Sequence, residues 1–343
     1  MKALIYNNGK INFTEKEKPT IIEPTDAIVK VTLSSICTSD LHIIKGFVPQ
    51  ASNNIVLGHE FVGEVVEIGE GIKSLKIGDR VSANCETFCG ECYFCKKGYI
   101  NNCEVGGWKL GCKIDGCQAE YVRVPFAEMG LTKIPNNVSF KEALFVGDIL
   151  SSGYFSAEMC EIKKDDTIAI IGAGPVGLCA MASAKIINPC KTIAIDIDDY
   201  RLKLVQKLGL ADYIFNPRNC NIKQEVLNIT NNRGADGVIE ASGANESFQV
   251  TWNIARANAV VGIVAMYEEN QVIPLPKMYG KNLTFKTGGV DAIHCKELLD
   301  LIANKKLNTD FLVSKTFDFN NILEAYKYFE NKTDNCLKVA IKY

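Results

Sequence analysis

The chain has 343 residues, enough for two domains that each bury a full core, which excludes a disulfide-stapled miniprotein. Apolar residues make up 47% and charged residues 23%, a globular composition that excludes a disordered chain. Lys and Arg total 38 against 40 Asp and Glu, and a net charge of -2 gives no field for gathering nucleic acid or anionic lipid, so a small molecule is the expected partner.

The opening Met1-Lys2-Ala3-Leu4-Ile5-Tyr6-Asn7-Asn8 runs out of apolar residues too early for a secretory segment and implies a cytoplasmic protein. The first half reads as short strands: Ala27 to Leu33, Glu60 to Glu67 and Arg80 to Ala83 are rich in β-branched residues between Gly, Pro and Asp punctuation. From Thr167 onward apolar strands alternate with helical stretches, at Thr167 to Ile171, Thr192 to Asp196, Tyr213 to Phe215, Gly237 to Ala241, Val260 to Ala265 and Leu283 to Lys286. That alternation predicts an α/β fold with a parallel sheet covered by helices on both faces. Thr167 to Ala184 is long and apolar enough to imitate a membrane span, but Gly172, Gly174 and Pro175 interrupt it, and a strand, a glycine turn and a helix explain the same letters, so no membrane partner is expected. After Asp291 two helices, near Cys295 to Asn304 and Asn320 to Asn331, precede a strand near Leu337 to Ile341.

Gly172-Ala173-Gly174-Pro175-Val176-Gly177 has the G-x-G-x-x-G form, with a strand before it and an apolar helix after it, the setting in which backbone N–H groups at a helix start face a pyrophosphate. Gly172 makes the tight turn, Gly174 leaves room for the phosphates, and Gly177 lets helix and strand approach. The next strand ends on Asp196, 19 residues beyond Gly177, where a ribose 2′-hydroxyl needs an acceptor. This favours NAD over NADP, whose 2′-phosphate would meet Asp196, Asp198 and Asp199; Arg201 stands against that inference, since an arginine can receive a phosphate. Asp196 could equally cap the following helix.

Fourteen cysteines in a reducing compartment argue for metal ligation or plain burial. Cys89, Cys92, Cys95 and Cys103 are separated by two, two and seven residues, which brings four thiolates within reach of one tetrahedral ion. Bacterial ferredoxins share the first two spacings, but their fourth cysteine follows after three residues and precedes proline, whereas Glu104 follows Cys103, so a structural zinc is expected. Cys85, Cys112, Cys117, Cys160, Cys179, Cys190, Cys220, Cys295 and Cys336 fit no ligand pattern and read as small buried hydrophobes.

Cys37-Thr38-Ser39-Asp40-Leu41-His42 and Gly58-His59-Glu60 supply a thiol, two imidazoles and a carboxylate in a chain with only 3 histidines. Taken singly, Cys37 could be a core residue and His59 a structural histidine.

With Gly63-Glu64-Val65, Gly78-Asp79-Arg80-Val81, the four-cysteine lobe and the glycine loop, these segments make the whole chain resemble the zinc-dependent medium-chain alcohol dehydrogenases, including relatives that oxidise secondary alcohols and polyols. The resemblance implies a GroES-like β-rich catalytic domain, residues 1–150 and 290–343 with a structural zinc lobe at 85–105, and an inserted Rossmann NAD-binding domain, residues 151–289. It implies a catalytic zinc on Cys37, His59 and Asp148, the last within Gly147-Asp148-Ile149-Leu150-Ser151-Ser152-Gly153, with Glu60 completing the coordination or sitting just behind it. It further implies a proton relay through Ser39 and His42, against which stand a turn residue and a surface residue, and Arg201 on the adenosine ribose. Trp108 matches a pocket-lining tryptophan, or is ordinary core. The expected reaction is reversible hydride transfer between a primary or secondary alcohol and NAD, with a polyol, sorbitol or 2,3-butanediol dehydrogenase as the alternative, in a homo-oligomer with four subunits favoured over two. His294 carries no motif.

Overall fold

An Asn8-Gly9 pair between two apolar-alternating runs is a strong hairpin signal, because both residues tolerate the positive φ that a tight turn between twisted strands requires; here φ is 48° at Asn8 and 79° at Gly9. Strands β1 (Lys2–Asn7) and β2 (Lys10–Glu15) accordingly pair antiparallel in a hairpin. The computed structural model describes every residue except Cys190. The chain continues through β3 (Ala27–Ser35), β4 (Ile55–Val56), β5 (Phe61–Ile68), β6 (Arg80–Ala83), β7 (Tyr121–Val124) and β8 (Leu131–Lys133). Six strands follow, β9 (Thr167–Ile171), β10 (Lys191–Ile195), β11 (Tyr213–Phe215), β12 (Ala235–Glu240), β13 (Ala255–Ile263) and β14 (Thr284–Thr287), and then β15 (Val313–Asp318) and β16 (Lys338–Lys342). Two compact units result, Met1–Ser151 with Asp291–Tyr343, and Ser152–Val290.

In the first unit a sheet of order β15-β16-β3-β5-β6-β8, with β7 also on β3, is antiparallel except between β15 and β16. One core packs Val29, Val31, Phe61, Val65, Val81 and Leu131; another packs Leu4, Ile36, Ile43, Leu57, Ile322 and Val339.

In the second unit six parallel strands run in the order β11-β10-β9-β12-β13-β14. Numbered from β9, this is 3-2-1-4-5-6, the doubly wound dinucleotide-binding order, whose ligand crevice lies at the carboxyl ends of the strands. β13 begins at Ala255, five residues before the predicted Val260, because its first turn of chain is polar: Arg256 and Asn258 break the apolar run, yet Ala255 pairs with Ala235 across a register shift. Among the described residues no helix is long and apolar enough to cross a membrane.

Candidate metal centre and cofactor loop

The pairing of β3 with β5 brings two distant segments together. Ser34 lies opposite Phe61 and the Ser35 N–H donates to the Glu60 carbonyl at 3.0 Å, so the chain leaving β3 at Cys37 passes the chain entering β5 at His59. Asp148 arrives on a wide turn, Val146–Leu150, in which the Leu150 N–H donates to the Phe145 carbonyl five residues back at 2.9 Å, a geometry frequent at functional sites. Gly147 permits the approach, since a Cβ there would lie 1.7 Å from the Ala83 carbonyl oxygen. Upstream, Ser139 and Glu142 cap the short helix that leads into this turn: the Glu142 N–H donates to Ser139 Oγ at 3.2 Å and the Ser139 N–H to Glu142 Oε2 at 2.8 Å. The Ser139 N–H and hydroxyl, with Lys305, hold the Glu142 carboxyl down at about 2.

One donor atom each from Cys37, His59 and Asp148, all buried, lie within 4.8 Å of one another. His59 Nε2 is 3.4 Å from Asp148 Oδ2, and ligands bonded to a tetrahedral zinc stand about 3.3–3.7 Å apart, so the set fits one zinc ion. Burial works against the Asp148 carboxylate, but the hydrogen bond and charge of His59 keep it below its ordinary range. Burial likewise opposes protonation of His59, and its bonds to Asp148 and Cys37 with the charge of Asp40 carry it well above a normal histidine.

Behind the donors lie three buried charges. Asp40 Oδ2 accepts from the Cys37 N–H at 2.9 Å and from Gln118 Nε2 at 3.2 Å, while Oδ1 is 3.7 Å from His59 Nδ1. Asp40 therefore holds the Cys37 backbone by a hydrogen bond and faces the His59 imidazole as a nearby charge. The antiparallel register that puts Ala340 opposite Ser35 brings Lys338 level with Cys37, and Lys338 Nζ donates to the Glu60 carboxylate and to the Ile36 carbonyl, the latter at 2.8 Å. Burial lifts the Glu60 carboxyl to about 7 against the pull of Lys338. Lys338 stays protonated: burial would lower its pKa, but the charges of Glu60, Cys37 and Asp148 raise it above the usual lysine. The roles of Asp40 and Lys338 escaped the sequence; a lone lysine in Leu337-Lys338-Val339-Ala340-Ile341 was the available signal, because a buried lysine needs a partner.

Ser39 Oγ is 3.4 Å from Cys37 Sγ, and His42 sits one helical turn further along Thr38–Ile44, its ring edge-on to Phe47 at 6.1 Å. The Trp108 ring stands edge-on to His59 at 5.5 Å between centroids, half-buried. His294 is apart from this group, with Nδ1 3.0 Å from Glu297 Oε2.

The second donor group, Cys89, Cys92, Cys95 and Cys103, closes on itself. Its sulfurs are 4.0 Å apart for Cys89 and Cys95, 4.0 Å for Cys92 and Cys103 and 3.7 Å for Cys89 and Cys103, against about 3.8 Å for four thiolates on one zinc. The N–H groups of Glu91 and Cys92 donate to Cys89 Sγ, each at 3.4 Å. Of the cysteines with no ligand pattern, Cys85, Cys112, Cys117, Cys160, Cys179, Cys295 and Cys336 are buried and Cys220 half-buried; Cys190 lies outside the described residues.

In the second unit, Gly172 has φ +98°, and a Cβ on Gly177 would lie 1.8 Å from the Gly172 carbonyl oxygen, so the loop closes only with glycine at both ends. Gly174 is the N-cap and Pro175 the first residue of the helix Pro175–Ile187, with Val176 half-buried beside them. Asp196 follows β10: Oδ2 accepts from the Ala173 N–H at 2.6 Å and Oδ1 from the Asp198 N–H at 2.8 Å. Asp196 is not the helix cap; Asp198 is, accepting from the N–H groups of Tyr200 and Arg201, because Asp196 is still held to the glycine loop. Arg201 Nη1 is 4.0 Å from Asp196 Oδ2 and Nε 3.7 Å from Asp198 Oδ2.

Residues 23–136 match the family model described as alcohol dehydrogenase GroES-like domain, and residues 175–304 that described as zinc-binding dehydrogenase. An alcohol dehydrogenase of Cupriavidus necator is 33% identical over 100% of this chain and 98% of its own length. The chain belongs to the zinc-dependent alcohol dehydrogenase family. An NADP-dependent isopropanol dehydrogenase of Thermoanaerobacter brockii is 31% identical, covering 97% of each chain. The solved zinc-dependent alcohol dehydrogenase 2 from Streptococcus pneumonia superposes with a TM-score of 0.93 at 36% identity, over 100% of this chain and 98% of that one. Family membership makes the protein an oxidoreductase acting on alcohols, with zinc and a nicotinamide nucleotide as its cofactors.

Proposed function

We propose that the protein oxidises primary or secondary alcohols reversibly to aldehydes or ketones, with zinc on Cys37, His59 and Asp148 and with NAD in preference to NADP. The convergence of three buried donors within 4.8 Å carries this reading, since three protein ligands leave a tetrahedral ion one position for a hydroxyl. When bound, zinc acidifies a hydroxyl toward neutral pH and the nicotinamide supplies the hydride acceptor. Cys37 and Asp148 offset the charge of the dication. Asp40 sets its carboxyl beside His59, and Lys338 holds Glu60 just behind the donors. Ser39, against Cys37, takes the substrate proton, and His42, of a residue type that titrates near neutral pH, passes it to solvent. Trp108 walls the substrate position beside His59.

Cys89, Cys92, Cys95 and Cys103 hold a second, structural zinc with every position filled by protein. The glycine loop, Gly172, Gly174, Pro175, Val176 and Gly177, receives the pyrophosphate, and Asp196 the adenosine ribose with Arg201 beside it. The preference for NAD is supported by Asp196, Asp198 and Asp199 clustering where a 2′-phosphate would lie, with Arg201 already facing Asp196 and Asp198. The catalytic domain is residues 1–150 and 290–343 and the nucleotide domain 151–289, in a cytoplasmic homotetramer. Metal quantification combined with an alcohol screen using NAD and NADP tests these points together. Full turnover after exhaustive chelation would reject the metal reading, and a preference for NADP would reject the cofactor assignment.

A further inference from the structure

Tyr326 lies on the helix Ile322–Glu330 of the first unit, buried, and its hydroxyl donates to Gln118 Oε1 at 2.7 Å. Gln118 is fully buried, and its Nε2 donates to Asp40 Oδ2 at 3.2 Å, the same oxygen that accepts from the Cys37 N–H at 2.9 Å. A series of hydrogen bonds therefore links this helix to the backbone of a proposed zinc ligand, across 208 residues of sequence at its first step.

Gln118 is itself pinned next to a second proposed ligand. Its N–H donates to the Leu57 carbonyl at 2.9 Å and the Cys117 N–H to the Gly58 carbonyl at 2.9 Å. A Cβ on Gly58 would lie 2.6 Å from Gln118 Cγ, so the glutamine side chain packs directly on the residue before His59.

The sense of the series follows from its two ends. A glutamine amide has a donor end and an acceptor end, and turned over it would set its carbonyl oxygen against the Asp40 carboxylate. The Tyr326 hydroxyl favours the observed sense by giving Gln118 Oε1 a proton, and burial raises its pKa well above that of an ordinary tyrosine, so the proton stays. Without that hydroxyl, Gln118 Oε1 becomes a buried acceptor that has lost its donor, which costs free energy and loosens the amide's hold on Asp40.

We propose that Tyr326 and Gln118 are positioning residues for the metal centre, acting through Asp40 to fix the backbone from which the Cys37 thiol is presented. This rests on the zinc ligand set proposed above. Tyr326→Phe isolates the contribution, because it keeps the ring and its packing and removes only the donor.

The test loads the protein with cobalt(II) in place of zinc and follows the thiolate absorption band that Cys37→Ser abolishes, so that this centre alone is read. In competition with a chelator under native conditions, Tyr326→Phe should weaken cobalt binding by about two- to tenfold, the effect of one hydrogen bond. Gln118→Met should weaken it at least as much. In an Asp40→Ala background the effect of Tyr326→Phe should vanish, because the path to Cys37 is already cut, whereas packing alone gives additive losses. Wild-type affinity in Tyr326→Phe, or a loss that adds to that of Asp40→Ala, would overturn the proposal; if Asp40→Ala does not fold, the affinities of Tyr326→Phe and Gln118→Met decide it. The absence of any cobalt band that depends on Cys37 would instead bring down the metal reading on which the proposal rests.

Discussion

Lys338 Nζ and the Glu60 carboxylate form a buried ion pair across 278 residues of sequence, with the lysine also held by the Ile36 carbonyl. Neither charge has water to fall back on, so removing one strands the other. Lys338→Met should destabilise the zinc-loaded protein by about 3–5 kcal/mol in urea unfolding, and adding Glu60→Gln should restore part of the loss. Additive effects of the two substitutions would show that the pair contributes no coupling.

Asp40 accepts from the Cys37 N–H and lies 3.7 Å from the His59 ring, so it fixes the backbone of one donor and sets a carboxyl beside another without being one. Asp40→Asn should weaken zinc binding at this centre by about 10–100-fold in competition with a chromogenic chelator. An unchanged affinity would leave Asp40 a folding residue only.

The half-buried His42 is one turn beyond Ser39 on the same helix. His42→Ala should shift the pH profile of hydride transfer, measured in single turnover, and an added imidazole buffer should restore part of the rate. A profile identical to wild type would end the relay assignment.

Cys103→Ser should lower the metal content from the proposed two zinc ions per chain to one and lower Tm, since a closed cysteine site contributes to folding. Elemental analysis beside a thermal scan reads both. Two ions retained would remove the lobe from the metal count.

Glu142 provides a pH test away from the metal. Its carboxyl, held near 2 by Ser139 and Lys305 in the folded chain, contributes stability that is present above its unfolded value of 4.5 and lost as pH falls from there toward 2. Glu142→Gln should therefore unfold in urea with a stability closer to wild type at pH 2 than at pH 6. Parallel stability curves for the two proteins would contradict it.

What could be read directly from the sequence is what neighbouring residues decide together. The Gly172–Gly177 loop sits between a strand and a helix that the letters around it specify, and the Cys89–Cys103 lobe is contiguous. Asp148 was legible only through a resemblance, because nothing local marks one aspartate as the partner of Cys37 and His59. The pairing of Lys338 with Glu60 and the approach of Asp40 to His59 depend on how separate segments meet, which spacing does not encode. Asp196 was placed correctly at its strand end, but its grip on Ala173 N–H moved the helix cap to Asp198.

The countercharge for Glu60 emerges from the ribosome 278 residues after it, and at ordinary rates of synthesis the interval is roughly 15–55 s. Throughout it, the nascent β3 and β5 must wait with an acidic group destined for the interior and no cation to neutralise it, while the whole nucleotide-binding unit is made. The metal pocket is thus among the last parts of the molecule to mature.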